Sequence, residues 1–485
     1  MHSKVIKILA LILALGVVAA ACGNDDDAPA APAPVQAATD ATEAPESMAD
    51  EAPQATEAPA MQDEAPDLMD DAMPAGGPCD GEIDGPLTLT LTSHSSGEAY
   101  TGAVESFNAG PGAELGVTVE LVDLGENAYE DFIVAAAASN DLPDIIDMDG
   151  PFLYNFAWNG FVQPLGNCVP DGALDDFLPS SITQGTYNGE LYSLGSFDSG
   201  MGIWAKRSVL ESLGARIPET SQDAWTAEEF DQLLRDLAAS GVDAPLDIKW
   251  WYGAGEWRPY GFAPIVQSAG GDVIDRSDFQ SADGVLNSAA AVEAMTLFQT
   301  WANDGLIDLA AVDDTNFTTG DAALSWVGHW MYNAYNEAVG DDLVLVPLPD
   351  FGTGSKAGMG SWNWAMSSSA ADADAVWAFM AHVTSPEQVA AIAAAEGAVP
   401  SLQSVLDADP TFQPGGDRYL YVLNLQGAPG IAVPRPATPA YGAIRDAFSD
   451  ALADIVAGAD VQSTLDAAVE DIDDDIEANE GYPTS

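Results

Sequence analysis

Beyond residue 86, short alternations of apolar and polar residues give way in turn to apolar spacings of three and four. Leu87, Leu89 and Leu91 alternate with threonines and predict a strand, which runs into a polar loop at 93–98. Helical spacing holds over 100–108. Val117, Val119 and Leu121 alternate again. Tyr129, Phe132, Ile133, Ala136 and Ala137 return to the helical period, and 142–149 reads as a strand entering an acidic loop. Side chains repeat every second residue on a strand face and every third or fourth on a helix face, so the two patterns are distinct. Strand, helix, strand, helix, strand predicts a parallel sheet with helical crossovers. Ligands of such sheets sit outside the carboxyl ends of the strands, on the edge that carries the loops 93–98 and 147–152.

Residues 189–207, GELYSLGSFDSGMGIWAKR, interrupt this succession. Two short apolar runs, around Leu191–Leu194 and Met201–Trp204, flank a small polar piece with Asp198, and Lys206 and Arg207 open the next helix. Long α/β-type segments lie on both sides. The stretch is therefore expected to carry the chain from one lobe to another, with Asp198 facing the cleft between them. Further on, 225–237 is helical, and Thr226 with Glu229 three residues later has the spacing of a capping box. Helices are also expected at 289–303, 375–383, 386–396, 440–457 and 461–476. Strands are expected within 317–330, where a turn, a strand and a loop with Trp330 follow one another, at 343–347, and within 358–367. Residues 249–260, KWWYGAGEWRPY, are too aromatic for an ordinary surface loop.

Composition changes the picture mainly at the N-terminus. Lys4 and Lys7 precede an apolar run over 8–18 and then Ala19, Ala20, Ala21, Cys22 and Gly23. This is the tripartite form of a secretory signal over 1–21, with an apolar core too short to span a bilayer comfortably. The small residues before Cys22 resemble a bacterial lipoprotein signal, in which that Cys carries the lipid, although Ala19 stands where such signals usually have Leu. Cleavage without lipidation is the alternative. Residues 24–78 are mostly Ala, Pro, Asp, Glu and Met with almost nothing to pack, and ATEAP occurs twice, which marks 22–78 as one segment. Such a segment cannot bury enough apolar surface to offset its ordering entropy, so an extended tether is expected. The folded part begins near Cys79. An exported chain meets an oxidising setting, so Cys79 and Cys168 are expected to pair, with two buried free thiols as the other reading. The chain carries 13 Lys+Arg against 77 Asp+Glu, a net charge of −64. That excludes nucleic acid, which needs a basic patch. A solvated, self-repelling surface accounts for the acidity without any acid-specific function.

Signals for catalysis are poor. Past the signal, only His94, His329 and His382 remain, none with a neighbour at metal-ligand spacing, so no metal and no cofactor are expected. Paired carboxylates occur anywhere in so acidic a chain and carry little information. The signal worth following is aromatic. Several of the 12 Trp lie beside flexible polar loops: Trp250, Trp251 and Trp257, then Trp330, then Trp362 and Trp364. Indole rings stack on the apolar faces of sugars while nearby polar groups bond the hydroxyls, and an aromatic wall with a few placed polar groups suits a binding cleft. Trp301 and Trp377, on amphipathic helices, read as core instead. Arg258, beside Trp257, reads equally as a cleft cation or as one neutralising acidic surface, and Asp198 as a ligand group or as a simple turn aspartate.

With these pieces in order, 86–478 resembles the extracellular solute-binding proteins of ABC importers, in the sugar-binding group of the maltose-binding type. The stretches that carry the resemblance are Pro143-Asp-Ile-Ile with 160–165; Gly189-Glu-Leu-Tyr with Ile203-Trp-Ala-Lys, where the family usually has Tyr-Asn-Lys; 317–324 with Gly328-His-Trp330; Ser385-Pro-Glu387 with Gly397 and Pro400; and Pro434-Arg-Pro436 with Tyr441. The resemblance implies an α/β, two-lobed periplasmic-binding-protein fold (type II) with the ligand cleft between lobes joined by crossing strands. It divides the folded part into 79–196 (first lobe), 197–345 (second lobe), 346–386 (return to the first) and 387–485 (second lobe again). Return passes are expected near 345–347 and 385–390. The implied ligand contacts are His94, Ser95 and Ser96, Asp147 and Asp149, Asp198, Trp257, Arg258 and Tyr260, Trp330, Trp362 and Asn363, and Arg435 and Tyr441. At Ala440 a member of the maltose-binding type carries a stacking aromatic that is missing here.

The implied protein is a monomer, exported to the cell surface or periplasm, held to the membrane by lipid on Cys22, binding a di- or oligosaccharide without catalysis and delivering it to the permease subunits of an ABC transporter. Three rivals stand beside this reading: the same fold binding another solute such as a polyamine, a secreted glycan-active enzyme, and a surface adhesin with no small ligand.

Overall fold

The computed structural model describes residues 78–95, 97–125, 129–427 and 430–482. The expected signal over 1–21, Cys22, the tether except its last residue, and Ser96 lie outside the described residues.

Two five-stranded sheets organise the chain. In the first, Leu87–Ser93 lies between Val117–Asp123 and Ile145–Asp149, all three parallel, and Trp362–Met366 then Ser193–Leu194 extend the sheet antiparallel. Its faces follow from alternation: Ile145, Trp364 and Met366 join a core with Leu89, Leu91 and the helices Glu98–Ala109 and Ala373–Val383, whereas Ile146, Met148 and Ala365 join the opposite core with Phe152 and Phe156. A sheet covered on both faces needs apolar side chains on both, which is why Ile145 and Ile146 stand side by side and join opposite cores.

The second sheet repeats the plan. Leu246–Asp247 lies between Ile307–Asp308 and Leu324–Gly328, all parallel, and Met201–Lys206 then Leu343–Val346 add antiparallel strands. Trp204, Trp301 and Trp326 are fully buried in its core. Ala227–Ala239 packs here through Phe230, Leu233, Leu234 and Leu237. Its capping box is present: Thr226 Oγ1 accepts the Glu229 N–H at 3.2 Å and the Glu229 carboxylate accepts the Thr226 N–H at 2.9 Å. Thr226→Ala should therefore lower stability by about 1 kcal/mol, seen as a shift of the urea midpoint at unchanged slope; an unmoved midpoint would remove the cap from the account.

Three passes connect the lobes. Phe197–Asp198 pairs antiparallel with Val399–Pro400, and together they form two of them, while residues 347–361 carry the chain from the second sheet back to the first. The third pass is thus at Val399–Pro400 and not near 385–390, and the first lobe does not end at 386. The helix Pro386–Glu396 is still first-lobe structure, because Ile392, Ala393 and Ala398 pack with Leu89, Phe107 and Phe379. Cys79 and Cys168 are disulfide-bonded, tying the start of the described chain to the turn Gly166–Cys168.

Candidate ligand-binding cleft

The strand register decides what reaches the cleft from the first lobe. Trp362 pairs with Asp149, so the first residue of one strand and the last of the other share the carboxyl edge of the sheet. His94 and Ser95 follow Leu87–Ser93 on the same edge, and Glu396 ends the helix Pro386–Glu396. From the second lobe come Trp251, Tyr252 and Glu256 on the glycine-bearing loop before the helix Trp257–Ala269, Trp257 and Tyr260 on its first turn, and His329 and Trp330 after Leu324–Gly328. With Phe197 and Ser361 from the crossing segments and Arg435, these residues line a cavity of ≈ 510 Å³. Ligand pockets generally fall in this size range and mix apolar walls with few polar groups.

Aromatic rings face the cavity from both lobes. Trp330 packs against Trp257 at 5.7 Å and 82°, Tyr260 at 6.2 Å and Tyr252 at 6.3 Å. Across the cavity, His94 lies flat on Trp362, with centroids 3.5 Å apart and planes at 11°, and Tyr129 abuts Trp362 edge-on. The His94 ring is held from behind by Asp147, whose Oδ2 is 2.7 Å from Nδ1 and also accepts the Ser93 hydroxyl at 2.6 Å.

Charge is concentrated around one cation. The Arg435 guanidinium donates to both carboxylate oxygens of Asp149, at 2.8 and 2.6 Å, and to Glu256 of the second lobe. It also lies over the Tyr260 ring, 4.9 Å from its centroid. The Tyr441 hydroxyl donates to Glu256 at 2.6 Å. One guanidinium thus serves two carboxylates, and burial, opposed by Arg435 but reinforced by the Asp149 charge, pushes the Glu256 carboxyl up to about 8. Glu396 is also raised, chiefly by burial. His329 is pushed down to about 4 by burial and is neutral at physiological pH. Its Nδ1 must donate to the Glu396 carbonyl, 2.8 Å away, since a carbonyl only accepts.

Eight of the residues expected at the site line the cavity: His94, Ser95, Asp149, Trp257, Tyr260, Trp330, Trp362 and Arg435. Five do not. Asp198 is fully buried and accepts the Ser199 N–H at 2.7 Å and Gln184 Nε2 at 3.2 Å. Successive strand residues point to opposite sides, and here Phe197 takes the cleft side, so Asp198 takes the inner one. The same alternation turns Asn363 inward beside Trp362, where it donates to the Ser361 carbonyl. Arg258 sits one helical position past Trp257 and so points elsewhere, to the Ser449 carbonyl at 2.7 Å and the Trp250 ring at 4.6 Å. Asp147 and Tyr441 are buried one layer behind His94 and Glu256. Also in the lining are Trp251, marked in the sequence only as one of several Trp beside flexible loops, and Tyr252, Glu256, His329 and Glu396, which the sequence reading did not single out as contacts. The two aromatics belong to the stretch 249–260 already marked by its aromaticity, whereas Glu256 and Glu396 carried no signal among 77 acidic residues.

Comparison with known proteins follows the same lines. A family model described as bacterial extracellular solute-binding protein matches residues 102–415. No curated protein matches the sequence. Among solved structures, the GacH receptor of Streptomyces glaucescens, studied unliganded and with acarbose, is 19% identical with a TM-score of 0.67, the match covering 81% of this chain and 97% of that one. An ABC substrate-binding protein from Listeria monocytogenes in complex with cycloalternan gives 15% identity and a TM-score of 0.70, covering 80% and 99%. The maltose-maltodextrin binding protein of Alicyclobacillus acidocaldarius gives 21% and 0.64, covering 80% and 100%. At these identities the likeness concerns the fold.

Proposed function

Because the chain belongs to the bacterial extracellular solute-binding proteins, we propose that it captures an oligosaccharide between its two lobes and hands it to the permease of an ABC importer. The observation that carries this reading is the pairing of aromatic walls across one cavity: Trp330 with Trp257 and Tyr252 on the second lobe, Trp362 with His94 on the first. Flat rings match the apolar faces of pyranoses, and Asp149, Glu256, Glu396 and Arg435 can bond ring hydroxyls. A ligand that touches both walls binds a closed arrangement better than an open one and shifts the population toward it. The permease would then read closure. The solved relatives bind acarbose, cycloalternan or maltodextrins by their descriptions, which favours an α-glucan-like ligand here.

The protein acts by binding alone, and a secretory signal with lipid on Cys22 and a tether over 22–78 would keep it beside its membrane partner. Calorimetric titration with maltose, maltotetraose and cycloalternan, with spermidine as the cationic control, tests the reading. Saturable binding of a sugar, recovered intact afterwards, supports it. Binding of spermidine but of no sugar would overturn it, and cleaved sugar would make the protein an enzyme.

A further inference from the structure

One chain of side-chain contacts reaches the cleft wall from outside it. Lys249 is fully buried, with Nζ 2.7 Å from Asp247 Oδ2 and 3.2 Å from Asp314 Oδ1. Asp314 Oδ1 also accepts the Tyr252 hydroxyl at 2.9 Å. The Tyr252 oxygen in turn accepts Trp330 Nε1–H at 2.9 Å. Asp314 itself does not line the cavity, whereas Tyr252 and Trp330 do.

Chemistry fixes the direction of this chain. An indole N–H only donates, a carboxylate only accepts, and a phenol has one proton to give. The Tyr252 proton is therefore committed to Asp314, and a phenol lone pair is left for the indole. Burial, then the nearby Asp314 charge, holds the phenol in its protonated form. The torsion about an aromatic Cβ–Cγ bond is broad, and Trp257, Tyr260 and Tyr252 limit it by packing against the ring. Within the range that packing leaves, the bond to Nε1 favours one orientation.

We propose that Asp314 is a positioning residue: acting through the Tyr252 hydroxyl, it sets the plane of the Trp330 indole that stacks on the ligand. The proposal rests on reading Trp330 as a sugar platform. Lys249 holds Asp314 in place from the buried side, so the aromatic loop and the strand end that carries Trp330 share one anchor.

The test begins without ligand. Indole N–H signals are recorded on the full chain by ¹H–¹⁵N spectroscopy, with Trp330 identified from W330F. Both D314A and Y252F should move the Trp330 signal and leave most other indoles in place. With maltotetraose as probe, each should weaken binding about fivefold, the worth of one hydrogen bond of about 1 kcal/mol. In a W330F background the link is already cut, so D314A should add nothing. A Trp330 signal unmoved by D314A and Y252F would overturn the proposal. So would a loss from D314A that persists undiminished in W330F, since that would be a general structural effect. A wild-type protein that bound no sugar would count against the sugar reading alone, and the ligand-free signal would still decide whether Asp314 sets the ring.

Discussion

Gly328→Ala is expected to remove most of the affinity for maltotetraose while leaving the protein folded. A Cβ at this position would lie 2.0 Å from Cζ3 of Trp330 and 2.5 Å from Cη2, distances at which the ring has to leave. The backbone offers no objection: Gly328 is extended, with φ −85° and ψ −171°, and alanine adopts that conformation freely. The ring, being the far end of a half-buried side chain, moves in preference to the strand. What is displaced is the ring at the centre of the second-lobe wall, where Trp330 meets Trp257, Tyr252 and Tyr260 and where the proposed function puts the sugar platform. Central aromatic anchors of a binding surface are worth about 2–4 kcal/mol on truncation, or roughly 30- to 1,000-fold in affinity. Trp330→Ala should show a loss of the same order, with a melting temperature close to that of wild type in both variants. A G328A protein that binds maltotetraose as wild type does would mean that the ring is not part of the platform.

That prediction draws on a residue legible in the sequence, and its legibility has a physical reason. Trp330 lies two residues after Gly328 in a stretch that reads as a loop, so exposure to a cleft is the economical reading, and the structure leaves the ring half-buried at the edge of the second core. The helix Trp257–Ala269 was hidden for the opposite reason. Every one of its residues is buried, so it has no polar face to mark a helical period, and Pro264 inside it reads as a breaker. Trp251 and Tyr252 lie just before it, in a stretch that stands out by composition without showing which of its rings reach the cleft. Asp198 shows a different limit. The chain passes from the first sheet to the second between Leu194 and Met201, but which of two neighbouring residues there faces the cleft depends on one step of strand alternation, and short strands do not reveal their phase in one sequence. The helix Pro386–Glu396 was found with its bounds, yet its lobe was misassigned, because an apolar face does not say which core it joins. Glu256 is the largest omission, since it is one carboxylate of many until Arg435 is seen against it.

Replacing that guanidinium should cause the largest loss of stability. In Arg435→Met, an unbranched uncharged side chain replaces the guanidinium, and Asp149 and Glu256, one on each lobe, lose their common partner. Removing one member of a buried ion pair typically costs about 3–5 kcal/mol, because the remaining charge stays desolvated. The loss should depend on pH in a defined direction. The Glu256 carboxyl is raised from 4.5 to about 8 in the folded protein, first by burial and, after the opposing Arg435, by Asp149. A group raised in the folded state contributes stability that is fully present below its unfolded value, near pH 4.5, and is lost as pH rises through about 8. At pH 5 the carboxyl is protonated and tolerates the loss of Arg435; at pH 8.5 it is increasingly charged and does not. Arg435→Met should therefore unfold at a lower urea concentration than wild type at both values, with the wider gap at pH 8.5. Glu256→Gln, which cannot ionise, should abolish the difference between the two gaps when combined with Arg435→Met. Equal gaps in the single variant would place the pH-sensitive charge elsewhere, and a variant as stable as wild type at pH 8.5 would mean that Arg435 does not hold the two lobes' carboxylates together.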